Sequence, residues 1–258
     1  MKFTEISGKD NPKIKRVSKL QKSSRFRREE GCFVLEGLRT IDDASENGIS
    51  LIELYVTKEA LEKHPSDIKK FAQSAKFSAI ISEGIAKSVS DTVSTQGIFA
   101  VAEIPMTQTE ICKDKKYIAL ENVQDPSNLG AVARTAEALG IDAIILTLDS
   151  CDPFSPKSLR ASMGTLLRMP LILIDDMAEF LKDTQLASFA CVAHGNAQKL
   201  SCVSFDGGCI CVIGNEANGL KPETVKACDC SVTIPMKGRA ESLNAAAAAS
   251  IVMWEMIK

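Results

Sequence analysis

The sequence predicts an α/β protein in two parts: a mostly parallel sheet flanked by helices in the C-terminal half, and a smaller α/β unit before it. Three observations carry this. Short apolar runs alternate with stretches of helical period along most of the chain. With 45% hydrophobic side chains, 258 residues supply two modest cores more readily than one. A polar stretch without periodicity, MTQTEICKDKK (106–116), separates the halves. We therefore expect domains over 1–106 and 113–258.

In the first part, Lys13–Arg28 reads as a basic helix, CFVLEG (32–37) as a strand, and Arg39–Asn47 as a helix stopped by Gly48. LIELYVT (51–57) is a second strand, followed by a helical stretch that includes Ile68–Ala75. FSAII (77–81) and GIFAVAEIP (97–105) complete the unit. In the second part, strands are expected at 117–120, 143–148, 171–174, 189–193, 209–214 and 232–236. Helices are expected at 129–139, 156–163, 177–184, 221–227 and 242–257. Near-continuous apolar strands between helices indicate a parallel sheet covered on both faces, which binds ligands beyond the carboxyl ends of its strands.

The net charge is −2, so the molecule is not polybasic as a whole. Residues 2–39, however, hold eleven lysines and arginines against five carboxylates, the footprint of a surface that touches phosphates. Met1 leads into a polar, charged stretch rather than a secretory leader, and no apolar run reaches the roughly 20 residues of a membrane span. With nine cysteines, an odd number, this reads as a reduced, cytoplasmic protein. Cys209/Cys211 and Cys228/Cys230 lack the spacing of zinc knuckles, and His64 and His194 sit in no ligand pattern, so no metal is expected.

Three loops at strand ends are unusual. ENVQDPSNLGAVARTAEALG (121–140) opens a helix with Ser127 or Asn128 in the capping place and carries Gly130, costly in a helix unless something approaches closely. VIGNEANGLKPE (212–223) is glycine-rich but lacks the Lys-Ser/Thr of a phosphate cradle, and Glu216 would repel an anion. IPMKGRAESLNAAAAASIVMWE (234–255) opens a helix with Ser242 and Asn244, and its five alanines imply close packing on several sides.

In this order and at these strand ends, NVQDPSNLGAVARTAEALG, VIGNEANGL and IPMKGRAESLNAAAAAS resemble the three motifs of the SpoU (TrmH-type) family of SPOUT RNA methyltransferases. SLRASMGTLLRMP (158–170) is similar to the segment between the first two. The resemblance implies a trefoil-knotted α/β domain, a rare topology, that binds S-adenosylmethionine and works as a homodimer. It implies catalytic roles for Asn128, Arg134, Glu216, Ser242 and Asn244. It also implies a cofactor site formed by Ile213, Gly214, Ile234, Met236 and Leu243, with Gly195 at its edge. The N-terminal part resembles a small ribosomal-protein-type RNA-binding module, which favours ribosomal over transfer RNA. The expected reaction is 2′-O-ribose methylation of ribosomal RNA, with a transfer-RNA enzyme or a non-catalytic RNA-binding homologue as alternatives.

Arginine is a poor general base, because its guanidinium stays protonated. Arg134 is therefore expected to grip an RNA phosphate in a forked contact, held by Glu216 and Asn128. A nicotinamide enzyme is a weaker fit: Asp149 stands where a dinucleotide fold puts its ribose-binding carboxylate, but the G-x-G-x-x-G run is absent.

Overall fold

A computed structural model describes residues 3–105 and 110–258. The described chain falls into two compact units, the first including the segment Phe154–Arg160 and the second formed by the remainder from residue 107 onward. The expected linker, 106–116, lies in part outside the described residues.

The first unit runs β1 (Thr4–Ile6), α1 (Pro12–Lys22), α2 (Ser24–Glu30), β2 (Cys32–Glu36), α3 (Leu38–Glu46), β3 (Leu51–Val56), α4 (Lys58–Lys63), α5 (Pro65–Ser74), β4 (Phe77–Ile81), α6 (Glu83–Val89) and β5 (Ile98–Glu103). Its sheet is mixed, in the order β1-β4-β3-β5-β2, with β5 antiparallel to both neighbours. Ile14, Val17 and Leu20 of α1 pack with Ile85 and Val89 of α6 against Val34, Tyr55 and Val101 of the sheet. The short strand β1 and the helix α6 were not anticipated; three residues are too few for a periodicity to register.

The single basic helix expected over 13–28 is two helices. Ser23 is extended (φ −121°, ψ 109°), and its hydroxyl accepts from the Phe26 amide at 3.2 Å, which starts α2. The break orphans carbonyls at the end of α1, and Arg27 supplies their donors: its Nη1 reaches Leu20 O at 2.5 Å and Gln21 O at 3.3 Å.

The second unit runs β6 (Lys116–Leu120), α7 (Pro126–Leu139), β7 (Ala143–Thr147), then past α8 (Pro156–Ala161) to β8 (Leu171–Ile174), α9 (Met177–Asp183), β9 (Ala187–Cys191), β10 (Gln198–Lys199), β11 (Cys209–Ile213), α10 (Pro222–Ala227), β12 (Cys230–Thr233) and α11 (Ala245–Met256). Its sheet has the order β10-β12-β9-β11-β6-β7-β8, and every pair is parallel. One face, built on Tyr117, Ala119, Ile145, Ile210 and Val212, is covered by Met177 and Leu181 of α9. Helices α7 and α11 pack together, and α11 reaches β6 and β11. Ala245, Ala246 and Ala249 are buried and let α11 come close, whereas Ala247 is exposed. Chain order reverses where β6 meets β11, the kind of switch point at which parallel sheets open a crevice.

Candidate active site

The three unusual loops leave the carboxyl ends of β6, β11 and β12 and meet. Helix α7 is capped by Asp125, whose carboxylate accepts from the Ser127 amide at 2.8 Å, and not by Ser127 or Asn128 as expected. Asn128 is thereby free to turn inward, and it is 6% exposed. A Cβ on Gly130 would lie 2.5 Å from the Ala161 carbonyl carbon, so the close approach at this glycine is made by the chain itself.

Asn128 joins the three loops. Its amide nitrogen donates to Glu216 Oε1 at 2.7 Å, and its amide oxygen accepts from Asn244 Nδ2 at 2.9 Å. The Asn244 oxygen in turn accepts from the amides of Ala246 and Ala247 at 2.9 and 3.2 Å, capping α11. Each member of the chain is thus oriented by the next, which fixes both amide orientations. Glu216 also accepts from the amides of Gln124 and Asp125, each at 3.3 Å. Partial burial pushes the Glu216 carboxyl up, but the Asn128 amide and the backbone donors outweigh it and hold the group below the usual carboxylate range.

Two supporting residues were missed in the sequence. Glu121, 1% exposed at the end of β6, accepts from Thr224 Oγ1 at 2.6 Å and the Lys221 amide at 2.9 Å, clamping the far end of the second loop. Asn215 donates to Asn122 O at 2.7 Å and accepts from the Ala217 amide at 2.9 Å. The available signal was a carboxylate directly after the apolar run YIAL: a buried Glu must be paired.

A cavity of about 440 Å³ opens beside this cluster. Ile213, Gly214, Ile234, Met236 and Leu243 line it, together with Ser242 and the carboxylates Glu216 and Glu241. Gly195 does not line it; the wall on that side ends at His194. At Gly214 a Cβ would stand 2.2 Å from the Gly219 carbonyl carbon and 2.4 Å from the Leu220 amide nitrogen, so only glycine lets the loop close.

Arg134 departs from expectation. It is exposed on α7 and makes no hydrogen bond or ion pair among the described residues. Six residues beyond Asn128 on a helix lies roughly 240° around the axis. Within one chain, Glu216 and Asn128 hold each other and the loop, and neither bonds Arg134. Asp149 is engaged by Thr147 Oγ1 at 2.5 Å and Lys221 Nζ at 3.5 Å. Among the described residues no cluster of His, Cys, Asp or Glu is arranged to hold a metal, and no helix is long and apolar enough to cross a membrane.

An all-parallel sheet with three strand-end loops closed over a mid-sized, partly apolar cavity defines an α/β enzyme for a small cofactor. Residues 115–254 match the model of the SpoU rRNA methylase family, and the chain belongs to that family. Residues 11–100 match an MRM3-like substrate-binding domain. The chain is 27% identical to the 23S rRNA (guanosine(2553)-2′-O)-methyltransferase of Bacillus subtilis, over 98% of both chains. It is also 27% identical to the 23S rRNA (uridine(2479)-2′-O)-methyltransferase of Streptomyces viridochromogenes, over 88% of this chain and 83% of that one. Among solved structures, the AdoMet-bound rRNA methyltransferase of Sinorhizobium meliloti superposes with a TM-score of 0.86 at 25% identity, covering 98% of this chain and 97% of that one.

Proposed function

We propose that this chain transfers a methyl group from S-adenosylmethionine to a ribose 2′-hydroxyl of ribosomal RNA. The observation that carries the reading is the Asn128–Glu216–Asn244 chain, which closes all three family motifs over one cavity. The cavity suits the cofactor chemically. Ile213, Ile234 and Leu243 offer apolar walls to an adenine, and Glu216 and Glu241 offer negative charge to a sulfonium and an amino group. When bound, the cofactor supplies a methyl already activated on positively charged sulfur.

The protein's part is to align the acceptor, exclude water and help remove one proton. Asn128 and Asn244 lock the loops; the Ser242 hydroxyl stands at the cavity wall where an acceptor ribose would be steered. Arg134, exposed and unpaired among the described residues, offers a fork for an RNA phosphate; a guanidinium carries donors only and is no base. The working form is a homodimer built on the C-terminal domain, 113–258. Ile251 and Trp254 are 39% and 53% exposed on α11 and, with the exposed Ala247, form an apolar stripe at i, i+4 and i+7. Arg134 would then serve the partner's site, consistent with its distance from Asn128 in the helix. The N-terminal domain, 1–106, selects the RNA. Ribosomal RNA is favoured because the relatives named above act on it. The free state of all nine cysteines suits a reducing cytoplasm.

The test is to incubate the protein with unmodified ribosomal RNA and methyl-labelled cofactor, then map the label. We expect a single 2′-O-methylated nucleotide; label on a base, or none, refutes the reading. Arg134→Lys should lower kcat at least about tenfold with cofactor affinity unchanged, and near-wild-type turnover at saturating RNA would remove the forked contact.

A further inference from the structure

The eleven cations of residues 2–39 are not one surface, because the fold consumes many of them. Arg27 is 3% exposed and serves as the C-terminal cap of α1. Lys13 Nζ lies 2.6 Å from Glu53 Oε1 and 4.2 Å from the Phe77 ring centroid. Arg16 spans Glu53 (3.3 Å) and Glu30 (2.9 Å). Burial opposes ionisation of Glu53, yet hydrogen bonds from Lys13 and Tyr55 outweigh it and hold its carboxyl below the usual range, so these cations are bound to a carboxylate that stays charged. Lys15 meets Asp10 at 2.9 Å and Arg25 meets Glu29 at 2.6 Å, both in exposed positions.

Lys9, Lys19, Lys22, Arg28 and Arg39 remain, exposed and without a carboxylate partner among the described residues, and three of them, Lys19, Lys22 and Arg28, lie together on α1 and α2. Lys15, Lys19 and Lys22 fall at i, i+4 and i+7, one stripe about 10 Å long on α1, opposite the buried Ile14, Val17 and Leu20. The stripe continues onto α2, because the Lys19 ammonium sits 4.0 Å over the ring centroid of Phe26. No large hydrophobic is exposed on α1 or α2, which favours a phosphodiester backbone over a lipid surface that an apolar side chain would enter.

We propose that Lys19, Lys22 and Arg28 form the phosphate-contacting surface of the N-terminal unit, and that Lys13, Arg16 and Arg27 hold the fold and do not touch RNA. This rests on the RNA-methylation reading above. Each phosphate contact contributes about 0.7–0.9 to the slope of log affinity against log salt. K19E/K22E should therefore lower that slope by about 1.5, and weaken binding about thirtyfold near 0.1 M salt.

The experiment is filter binding of the full-length protein to unmodified large-subunit ribosomal RNA across a salt series. It is run beside K63E/K69E, which makes the same charge change at exposed lysines of α4 and α5. S-adenosylmethionine binding by calorimetry is the check on folding and should be unchanged in both variants. The proposal stands if only K19E/K22E loses affinity and slope, while kcat at saturating RNA is kept. It is overturned if K19E/K22E binds as wild type, if K63E/K69E loses as much, or if the stripe instead directs the protein to anionic phosphatidylserine vesicles at the same salt. Failure of wild-type protein to bind or methylate RNA would remove the underlying reading itself.

Discussion

Asn128→Asp is the sharpest probe of the site, because it alters one atom's chemistry and almost nothing of its shape. The new carboxylate keeps an acceptor for Asn244 but replaces the donor that faces Glu216 at 2.7 Å. A hydrogen bond to a charged group, about 1.5–3 kcal/mol, is lost. Coulomb repulsion at that distance is about 6 kcal/mol at an effective dielectric of 20 and about 1.5 kcal/mol in water. Glu216 is exposed on one side, so the lower figure governs and the total is about 3–4.5 kcal/mol. At about pH 8 the melting temperature should fall by roughly 6–15 °C. The pH dependence then discriminates. In the wild type, the depressed Glu216 contributes stability above its unfolded value near 4.3 and loses it only as pH falls through the lower folded value, so stability from this group is flat between about pH 5 and 7. In the variant, two carboxylates compete for one proton and the upper step of the pair rises above the unfolded value. The penalty is then present above that step and relieved as pH falls through it. Differential scanning calorimetry across this range, with Asn128→Ala as the variant that cannot share a proton, reads both. A deficit for Asn128→Asp that fails to shrink on acidification, or a melting point equal to wild type at pH 8, would refute the reasoning.

Gly214→Ala forces a methyl against the Gly219 and Leu220 backbone; overpacking of this kind costs about 1–3 kcal/mol. Because the strain falls on a cavity wall, cofactor affinity measured by calorimetry should drop about tenfold or more while the far-ultraviolet circular dichroism stays the same. Trp254→Glu places a charge in the exposed stripe of α11; sedimentation velocity should shift toward monomer, and turnover should fall more than cofactor binding does.

The second unit was legible because its strands are buried on both faces and therefore apolar without interruption, as in CICVIG and AIILTL. Strand β10, two exposed residues, carries no such pattern. The break at Ser23 escaped because Lys19 to Arg28 keeps a helical polarity on both sides; the interruption is visible only through the serine cap and the returning arginine. At the site, residue types and loop positions were readable, but partners were not. Nothing in a sequence says that Asp125 takes the cap and so releases Asn128 to bridge Glu216 and Asn244. The family resemblance groups Arg134 with that cluster, and within one chain helical geometry turns it away.

The contacts that close the cavity span 88 residues from Asn128 to Glu216 and 116 from Asn128 to Asn244, so the last of them depends on a segment made long after the first. Pairings of such range are slow to form, and on the ribosome they wait until Asn244 has been made. A chain interrupted between β12 and α11 keeps its sheet yet lacks the third wall of the pocket and the α11 amides that orient Asn244. Competence to hold the methyl donor therefore arises only once the chain has been made through α11, and copies interrupted before it are inert instead of partly active.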